Sequence, residues 1–562
     1  MREIKRILAM TLALLLCVSC AVSCAEQTPD SSVDEPDSTV FQAESEVEQE
    51  SEGSSDESGS AEVTIGSGSE TGSATGASST DPGATSTTKK PDKSSTTKKN
   101  PTTTTTKTES VTIKFEVPTY KQNLYNDTVV DMDGYTFEYA SSWMPQIKPR
   151  NPTLQERIFF ERKAEVEKEY NCKIKIKVLY PDTQTLATKI LANDKIADVI
   201  DIMTSQMIPA VYANYLVPWD DSRLKDIIHL DDSRWDVAST ALGNINGTQW
   251  GLNCTNPPEV RYCMFYNRDV LKKYGVKDDL EQLVKEGKWT FEKFREIALT
   301  TTKDVNNDGT IDVYGMMQDS PYSAGYGFVA ANGGKLLNMD KTGKVSIGFD
   351  DPSILTALNF YNDLVNKDKV VKLWGHESSE TTWNQTPTTD DWVNFFMSGK
   401  AAFVVGESFY GNQYFKPKSD QADYGILPLP LGPDATDYVS PAFNARLCVL
   451  TKTNTDLEKS ATIFNALARP MKGYEDPNWW AEDVQLEYFR EGDIESSEMY
   501  RFTLSKSQLD MGTGMDLLYS NFCYSAIARG IYWQLGTPAS NLDSIKDAGY
   551  QEAVDALFNQ GK

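Results

Sequence analysis

The chain has 562 residues, of which 39% are hydrophobic, and a formal net charge of −26. This length exceeds what one ordinary core can organise, so we expect at least two packed bodies plus additional segments. The acidic balance argues against nucleic acid as a partner, and only two histidines, His229 and His376, leave little room for histidine-based metal or triad chemistry.

The first residues have the three-part layout of a secretory signal peptide. Arg2, Lys5 and Arg6 precede the apolar run 7–16, and small residues and cysteines follow it. The apolar run is about half as long as a membrane-spanning helix. The sequence therefore predicts an exported protein and not a channel or transporter.

The residues after this run also suggest a lipid anchor. Segment 21–24, with the sequence AVSC, resembles the lipobox of bacterial lipoproteins, whose cysteine is acylated. We therefore expect Cys24 to end a lipoprotein signal peptide, residues 1–24, with Cys20 as an alternative acylation site. A plain secretory signal with incidental cysteines is the other interpretation. A diacylated cysteine would hold the protein stably at the membrane surface.

Residues 25–110 have the composition of a tether. They are almost entirely Ser, Thr, Glu, Asp, Gly, Pro and Lys, with Phe41 as the only aromatic residue. Such a segment cannot bury enough apolar surface to offset its chain entropy, so we predict that it is disordered. At about 5–6 Å times the square root of its length it would reach roughly 50 Å from the anchor.

The predicted folded part begins at about residue 111 with an alternation of helices and strands. A helical pattern over 153–170 is followed by KIKIKV at 173–178, which has the two-residue period of a strand. A second helix over 183–193 leads into the apolar run 197–203, which is typical of a strand covered on both faces. This order predicts a parallel sheet with a right-handed crossover.

Polar residues follow that second strand. Ligands of open α/β sheets bind beyond the carboxyl ends of the strands. We therefore predict that Thr204, Ser205 and Gln206 lie at the rim of a ligand-binding site. An ordinary polar loop is the alternative interpretation.

Local signals mark the next elements. Residues 262–276 predict a strand that runs directly into a short helix closed by Gly275. Thr290 is the expected N-cap of another helix, with Trp289 packing on Phe294 as a hydrophobic staple.

One loop has the spacing of a calcium site. Asp304 and Asp308 occupy positions one and five of an EF-hand-type loop, Gly309 has the required position six, and Gly315 stands where the bidentate Glu would be. Simple Asx turns are the alternative interpretation. The predicted structural calcium ligands are Asp304, Asn306, Asp308, Thr310 and Asp312.

Seven short segments form an ordered series along the chain. They read ADV at 197–199, QWGL at 249–252, FYNRD at 265–269, WTF at 289–291, DVYG at 312–315, FFMSGKAAF at 395–403 and YGILPLP at 424–430. In order and spacing they resemble the carbohydrate-type extracellular solute-binding proteins of ABC importers. Some members of that family hold a structural calcium at a loop like the one above.

The resemblance implies an α/β, two-lobed, periplasmic-binding-protein-like (type II) fold with a hinge and an interlobe cleft. By analogy, lobe I comprises residues 111–262 plus 436–490. Lobe II comprises residues 263–435 plus 491–562.

The resemblance also implies where a sugar would bind. Sugar rings have apolar C–H faces and a fringe of hydroxyls, so a site combines aromatic and polar side chains. For Trp219, Trp250 and Trp392 we prefer a core position. Trp383 stands in a polar run, and a position at the cleft is as compatible with the sequence as one in the core. The predicted ligand-binding residues are Thr204, Ser205, Asn253, Thr255, Tyr322, Trp383, Glu407, Phe409, Tyr410 and Tyr524.

Cysteines give little further information. With Cys24 acylated, the folded part keeps an odd number of thiols, so at least one is free. Cys254 and Cys263 are close enough in sequence to pair, and buried free thiols are equally compatible.

These observations together predict a binding function without catalysis. We expect a lipid-anchored monomer on the extracellular face of the membrane that captures an oligosaccharide and delivers it to an ABC transporter permease. A binder of peptides or other solutes on the same fold is one alternative. A surface glycosidase with two carboxylates about 5–9 Å apart is another, although the sequence has no nucleophile elbow, zinc motif or phosphate loop.

Overall fold

The computed structural model describes most of the predicted folded part. The described residues are 113–117, 127–152, 154–179, 183–232, 234–235, 237–253, 262–318, 323–374, 388–442, 445–469 and 486–559. The predictions made for Cys24, the tether 25–110, Thr255, Tyr322 and Trp383 lie outside these residues.

The described strands are named in chain order. They are β1 (Thr136–Ser141), β2 (Lys173–Val178), β3 (Val199–Met203), β4 (Leu216–Val217), β5 (Asn244–Ile245), β6 (Thr248–Gln249), β7 (Tyr262–Asn267), β8 (Tyr314–Gln318), β9 (Leu337–Met339), β10 (Val345–Ile347), β11 (Val371–Lys372), β12 (Ala401–Glu407), β13 (Tyr424–Leu427), β14 (Ser440–Ala442), β15 (Arg446–Thr451) and β16 (Ser507–Leu509).

Helices separate most of these strands, and none that the structure describes is long and apolar enough to cross a bilayer. The α-helices are Leu154–Glu169, Thr183–Leu191, Thr204–Tyr212, Val237–Leu242, Arg268–Lys273, Leu280–Lys285, Phe291–Thr301, Ser323–Ala331, Pro352–Asn362, Thr389–Met397, Leu457–Leu467, Ile494–Ser505, Asp516–Asn521, Pro538–Lys546 and Tyr550–Phe558. Three π-helical segments are Asp363–Lys367, Gly411–Phe415 and Phe522–Tyr532, and 3-10 turns cover Lys416–Lys418 and Met511–Gly514.

The first five-stranded sheet has the order β2-β1-β3-β15-β4. Strand β1 is parallel to both β2 and β3, whereas β15 is antiparallel to β3. The predicted parallel relation of the strands near 173–178 and 197–203 is therefore confirmed. However, β1 lies between them, and the sequence analysis did not identify this strand.

Burial within the sheet follows the sequence pattern. In β2, Ile174 and Ile176 are buried, and the three lysines that alternate with them are exposed or partly exposed. All five residues of β3 are buried. Strand β2 is at the edge of the sheet, and charged side chains on an edge strand discourage pairing with other chains.

The second five-stranded sheet has the order β11-β8-β12-β7-β13. Strands β11 and β12 are both parallel to β8, and β7 is antiparallel to β12 and β13. The carboxyl ends of β8, β11, β12 and β13 therefore meet at one edge of this sheet. Long apolar runs suit these strands, since helices cover both faces of such sheets.

The predicted local signals around β7 are confirmed. Strand β7 runs directly into the helix Arg268–Lys273, and Gly275 after it has φ +78°. The side chain of Thr290 accepts a hydrogen bond from the backbone N–H of Lys293. The rings of Trp289 and Phe294 meet edge to face with centroids 6.0 Å apart.

Two hydrophobic cores surround the sheets. One fills the outer face of the first sheet, and the other extends from its opposite face to the second sheet. Strands β14 and β16 pair in parallel between distant parts of the chain. Nearby, the α-carbon of Gly514 approaches Ile208 so closely that a Cβ would lie 2.7 Å from the Ile208 Cβ atom. The lobe boundaries themselves stay a prediction.

Four cysteines of the described residues are buried and form no disulfide bond. They are Cys172, Cys263, Cys448 and Cys523. The structure thus favours free thiols over the pairing of Cys263 that the sequence left open.

Candidate functional site

The edge of the first sheet is formed by the carboxyl ends of β1 and β3 and by the start of β15. Thr204 and Ser205 follow β3, and the backbone N–H of Thr204 donates to the carbonyl of Ala445, 2.9 Å away. Thr204 is fully buried and Ser205 is half-buried. The third predicted rim residue, Gln206, caps its own helix because its Oε1 accepts from the backbone N–H of Met203 at 3.0 Å.

Asn253 approaches the same edge from another strand-like segment. Leu252 pairs in antiparallel fashion with Cys448, through hydrogen bonds of 3.0 and 2.7 Å. In antiparallel pairing the next residue lies beside the preceding residue of the partner, so Asn253 extends towards the start of β15. The half-buried Asn253 thus joins Ser205 at this edge.

Sequence reasoning missed one conspicuous residue of this edge. Trp143, two residues after β1, has 50% of its surface exposed, and the Arg446 guanidinium lies 5.4 Å from its ring centroid. The sequence did contain a weak signal: in TFEYA, residues 136–140, apolar and polar residues alternate weakly, as in a strand. The tryptophan follows in SSW, residues 141–143. Without a clear strand pattern in β1, nothing in the local sequence marks the residues that follow it as an edge of the sheet.

A buried carboxylate lies beneath this turn. Asp201 accepts a hydrogen bond from the Ser141 hydroxyl at 2.9 Å, and its second oxygen, Oδ1, has no hydrogen-bond partner among the described residues. Burial raises the pKa of the Asp201 carboxyl, and the positive charge of Arg446 opposes that rise. The hydroxyl of Ser142 is likewise buried and without a partner in the described part of the chain.

The corresponding edge of the second sheet carries the residues predicted after β12. Glu407 and Phe409 are half-buried, and Ser408 is buried with a hydroxyl that meets no hydrogen-bond partner in the described ranges. Tyr410 is only 7% exposed. Its ring covers Gly406, where any side chain would collide with it.

Tyr410 belongs to a packed group of rings. Its centroid lies 4.9 Å from those of Trp392 and Phe409, and 5.3 Å from that of Tyr414. Trp392 is 5% exposed, which confirms its predicted core position. Trp219 is also fully buried, as predicted, and Trp250 is half-buried against the larger core.

A polar cluster marks the end of β8. The Oε1 atom of Gln318 accepts from the hydroxyls of Tyr361 and Tyr532, at 2.7 and 3.1 Å. Its amide nitrogen is buried without a partner among the described residues, as is the indole nitrogen of Trp374 just after β11. Polar groups at the ends of adjacent parallel strands therefore retain unused hydrogen-bonding capacity.

Tyr524 lies elsewhere in the chain but on an unusual element. It stands in the π-helical segment Phe522–Tyr532, is half-buried, and meets Trp533 edge to face with centroids 5.7 Å apart. Such segments are rare and often occur at functional sites. The Tyr532 hydroxyl at its end contacts Gln318, so this segment reaches the end of β8.

The loop predicted to hold calcium is folded around its own carboxylates. Asp304 accepts from the backbone N–H groups of Asp308 and Gly309, at 3.2 and 2.8 Å, and Asp308 accepts from that of Thr310 at 2.7 Å. The hydrogen bond from Thr310 is the main reason that the pKa of Asp308 is lowered. Among the residues that the structure describes, no three His, Cys, Asp or Glu side chains form a group that could hold a metal.

The two sheet edges carry groups suited to noncovalent recognition. Buried hydroxyl, amide, indole and carboxylate atoms offer donors and acceptors, and exposed or half-buried rings offer apolar faces. This combination suits a polyhydroxylated ligand.

The chain is similar to a known family and to several known proteins. The model of the family described as bacterial extracellular solute-binding protein matches residues 155–446. An arabinooligosaccharide-binding protein of Bacillus subtilis (strain 168) is 26% identical over 337 residues, covering 58% of this chain and 68% of that protein.

Solved structures share the architecture. The sugar-binding protein MalE from Xanthomonas citri has a TM-score of 0.56 at 14% identity and covers 76% of this chain and 100% of its own. A cyclo/maltodextrin-binding protein complexed with maltotetraose has a TM-score of 0.51 at 14% identity, with 74% and 97% covered. An ABC substrate-binding protein from Listeria monocytogenes in complex with cycloalternan has a TM-score of 0.50 at 16% identity, with 75% and 98% covered. These likenesses confirm the predicted two-lobed type II α/β fold.

Proposed function

This chain belongs to the bacterial extracellular solute-binding proteins, and on that premise we propose that it captures an oligosaccharide outside the cell and delivers it to an ABC transporter permease. The observation that carries the proposal is the concentration of unused polar atoms and accessible rings at the carboxyl edges of the two sheets. The named relatives add support, because one is an arabinooligosaccharide-binding protein and two others are complexes with maltotetraose and with cycloalternan.

In the proposed mechanism the ligand is bound and released unchanged. Polar groups near Ser205 and Asn253 would contact it from the first sheet, and those near Gln318 and Ser408 from the second. Contacts with both lobes at once favour the closed arrangement, since a ligand shifts the equilibrium towards the state that it binds better.

The test is a calorimetric titration of the purified chain with arabinotriose, maltotetraose, cycloalternan and a set of short peptides. We expect at least one saccharide to bind and to raise the melting temperature; at 100 times Kd the stabilisation is about 2.7 kcal/mol. Chromatography of each sugar after incubation should return it intact. Binding of peptides alone, or cleavage of a saccharide, would contradict the proposal.

We propose further that acylation of Cys24 anchors the protein to the extracellular face of the membrane. The sequence AVSC supports this assignment. Metabolic labelling with an alkyne fatty acid should label the wild type and the Cys20→Ala variant, whereas Cys24→Ala should lose the label. Label that disappears only in Cys20→Ala would assign the anchor to the other cysteine.

We also propose that the loop 304–312 binds calcium as a structural ion. Its carboxylate, amide and carbonyl oxygens are the hard donors that calcium prefers, and Asp304, Asn306, Asp308, Thr310 and Asp312 would supply them. The ion would neutralise the clustered carboxylates and fix the turn. We expect calcium, but not magnesium, to raise the melting temperature, and Asp304→Asn to abolish the shift. An equal response of Asp304→Asn and the wild type would overturn the assignment.

A further inference from the structure

Trp143 is held in solvent by the turn that carries it. It is 50% exposed, whereas the other described tryptophans are buried or half-buried. An indole ring gains free energy when it is buried, and an exposed one at the edge of a binding sheet therefore suggests an apolar ligand surface.

The turn is fixed by hydrogen bonds. The backbone N–H groups of Trp143 and Met144 both donate to Ser141 Oγ at 3.1 Å, and that hydroxyl donates to the buried carboxylate of Asp201 at 2.9 Å. The side chain of Met144 is buried in the outer core of the first sheet. The turn that carries Trp143 is thus held by Ser141 before the tryptophan and by Met144 after it.

One face of the indole has a protein partner. The Arg446 guanidinium lies 5.4 Å from the ring centroid, in the range of a cation–π interaction. This contact restricts the orientation of the ring. The exposed area of the indole is therefore assigned to its opposite face. Preorganisation of this kind lowers the entropy lost when a ligand binds.

Polar residues lie at the same edge of the sheet as the ring. Ser205 and Asn253 are half-buried, and the Ser142 hydroxyl is buried without a partner in the described part of the chain. An apolar face bordered by small polar groups matches a sugar ring, which has C–H groups on its faces and hydroxyls around its rim.

We propose that Trp143 is a stacking platform for one sugar ring of the oligosaccharide, with Ser141 as its positioning residue. This inference rests on the proposed function and names the part of the first lobe that recognises the ligand. It assigns to Trp143 a role in affinity and not in the stability of the fold.

The test compares variants of the full chain by titration with arabinotriose, maltotetraose and cycloalternan. Trp143→Ala should weaken the saccharide that binds the wild type by about tenfold or more, and Trp143→Phe should retain most of the affinity. Ile147→Ala is the matched control, because Ile147 lies on the same segment and is 80% exposed. Its affinity should equal that of the wild type.

A double-mutant cycle tests the positioning role. Ser141→Ala should weaken binding in the wild-type background but change it little in the Trp143→Ala background, and Ser141→Thr should restore affinity. Equal affinities of Trp143→Ala and the wild type would overturn the inference alone. A wild-type chain that binds none of the three sugars would overturn the proposed function and this inference with it.

Discussion

The carboxyl edges of the two sheets display their aromatic residues in opposite ways. On the first sheet, Trp143 stands half in solvent on a turn fastened to Asp201. On the second sheet, the ring of Tyr410 packs against Gly406 and is 7% exposed. An aromatic residue that follows a strand can therefore either stay exposed or pack into the core, and its neighbours decide which.

The physical difference lies in what stands beside each ring. Gly406 has no side chain, so the ring of Tyr410 can pack against the strand itself, and Trp392 and Tyr414 close over it. Around Trp143 the neighbours are the polar Ser142 and the charged Arg446. The guanidinium of Arg446 needs water or polar partners of its own, so it cannot bury the indole completely.

The largest expected effect distinguishes the buried ring. Tyr410→Ala should lower the free energy of unfolding by about 3–5 kcal/mol, because it removes a ring from a packed group and leaves a cavity. Denaturant titration measures this change. The adjacent half-buried Phe409→Ala is the control and should cost less; an equal cost for both would show that Tyr410 is not the better packed ring.

Gly406→Ala should lower the free energy of unfolding, because residue 406 lies on the strand against which Tyr410 packs. A methyl group there meets the ring of Tyr410, and overpacking of this kind costs about 1–3 kcal/mol. In the Tyr410→Ala background the same substitution should cost much less, because the space is then open. Additive effects in the two backgrounds would contradict the proposed contact.

The buried carboxylate of Asp201 should make the stability of the fold depend on pH. The pKa of Asp201 is raised in the folded state by burial, so its charged form destabilises the fold at neutral pH. The wild type recovers this stability as pH falls through the raised pKa. Asp201→Asn should therefore be more stable relative to the wild type at pH 7 than at lower pH, as measured by thermal unfolding in matched buffers. A difference that grows on acidification would refute the assignment.

The smallest expected effect completes the comparison. Trp143→Ala should change the free energy of unfolding by no more than about 0.5 kcal/mol, because an exposed side chain contributes little to the core. Its effect should appear in sugar affinity alone. A stability loss as large as that of Tyr410→Ala would place Trp143 in the core and remove the contrast between the two edges.

Local sequence was sufficient where the signal was short in range. The alternation in 173–178, the capping by Thr290 and the contact between Trp289 and Phe294 all appear in the structure. Each depends on residues within a few positions of one another. The family and its two-lobed fold were likewise predicted from an ordered series of short segments, and the comparisons confirmed both.

Tertiary structure decided which side chains could reach a ligand. The insertion of β1 between β2 and β3 brought Trp143 to the carboxyl edge of the first sheet, and pairing of β3 with β15 brought Arg446 beside it from more than 300 residues along the chain. The sequence determined the periodicity of the strands and the family, and it predicted an export signal. It could not determine the exposure of Trp143 or Tyr410, because burial depends on neighbours that are distant in the chain, and a periodic pattern specifies only which face of an element is apolar.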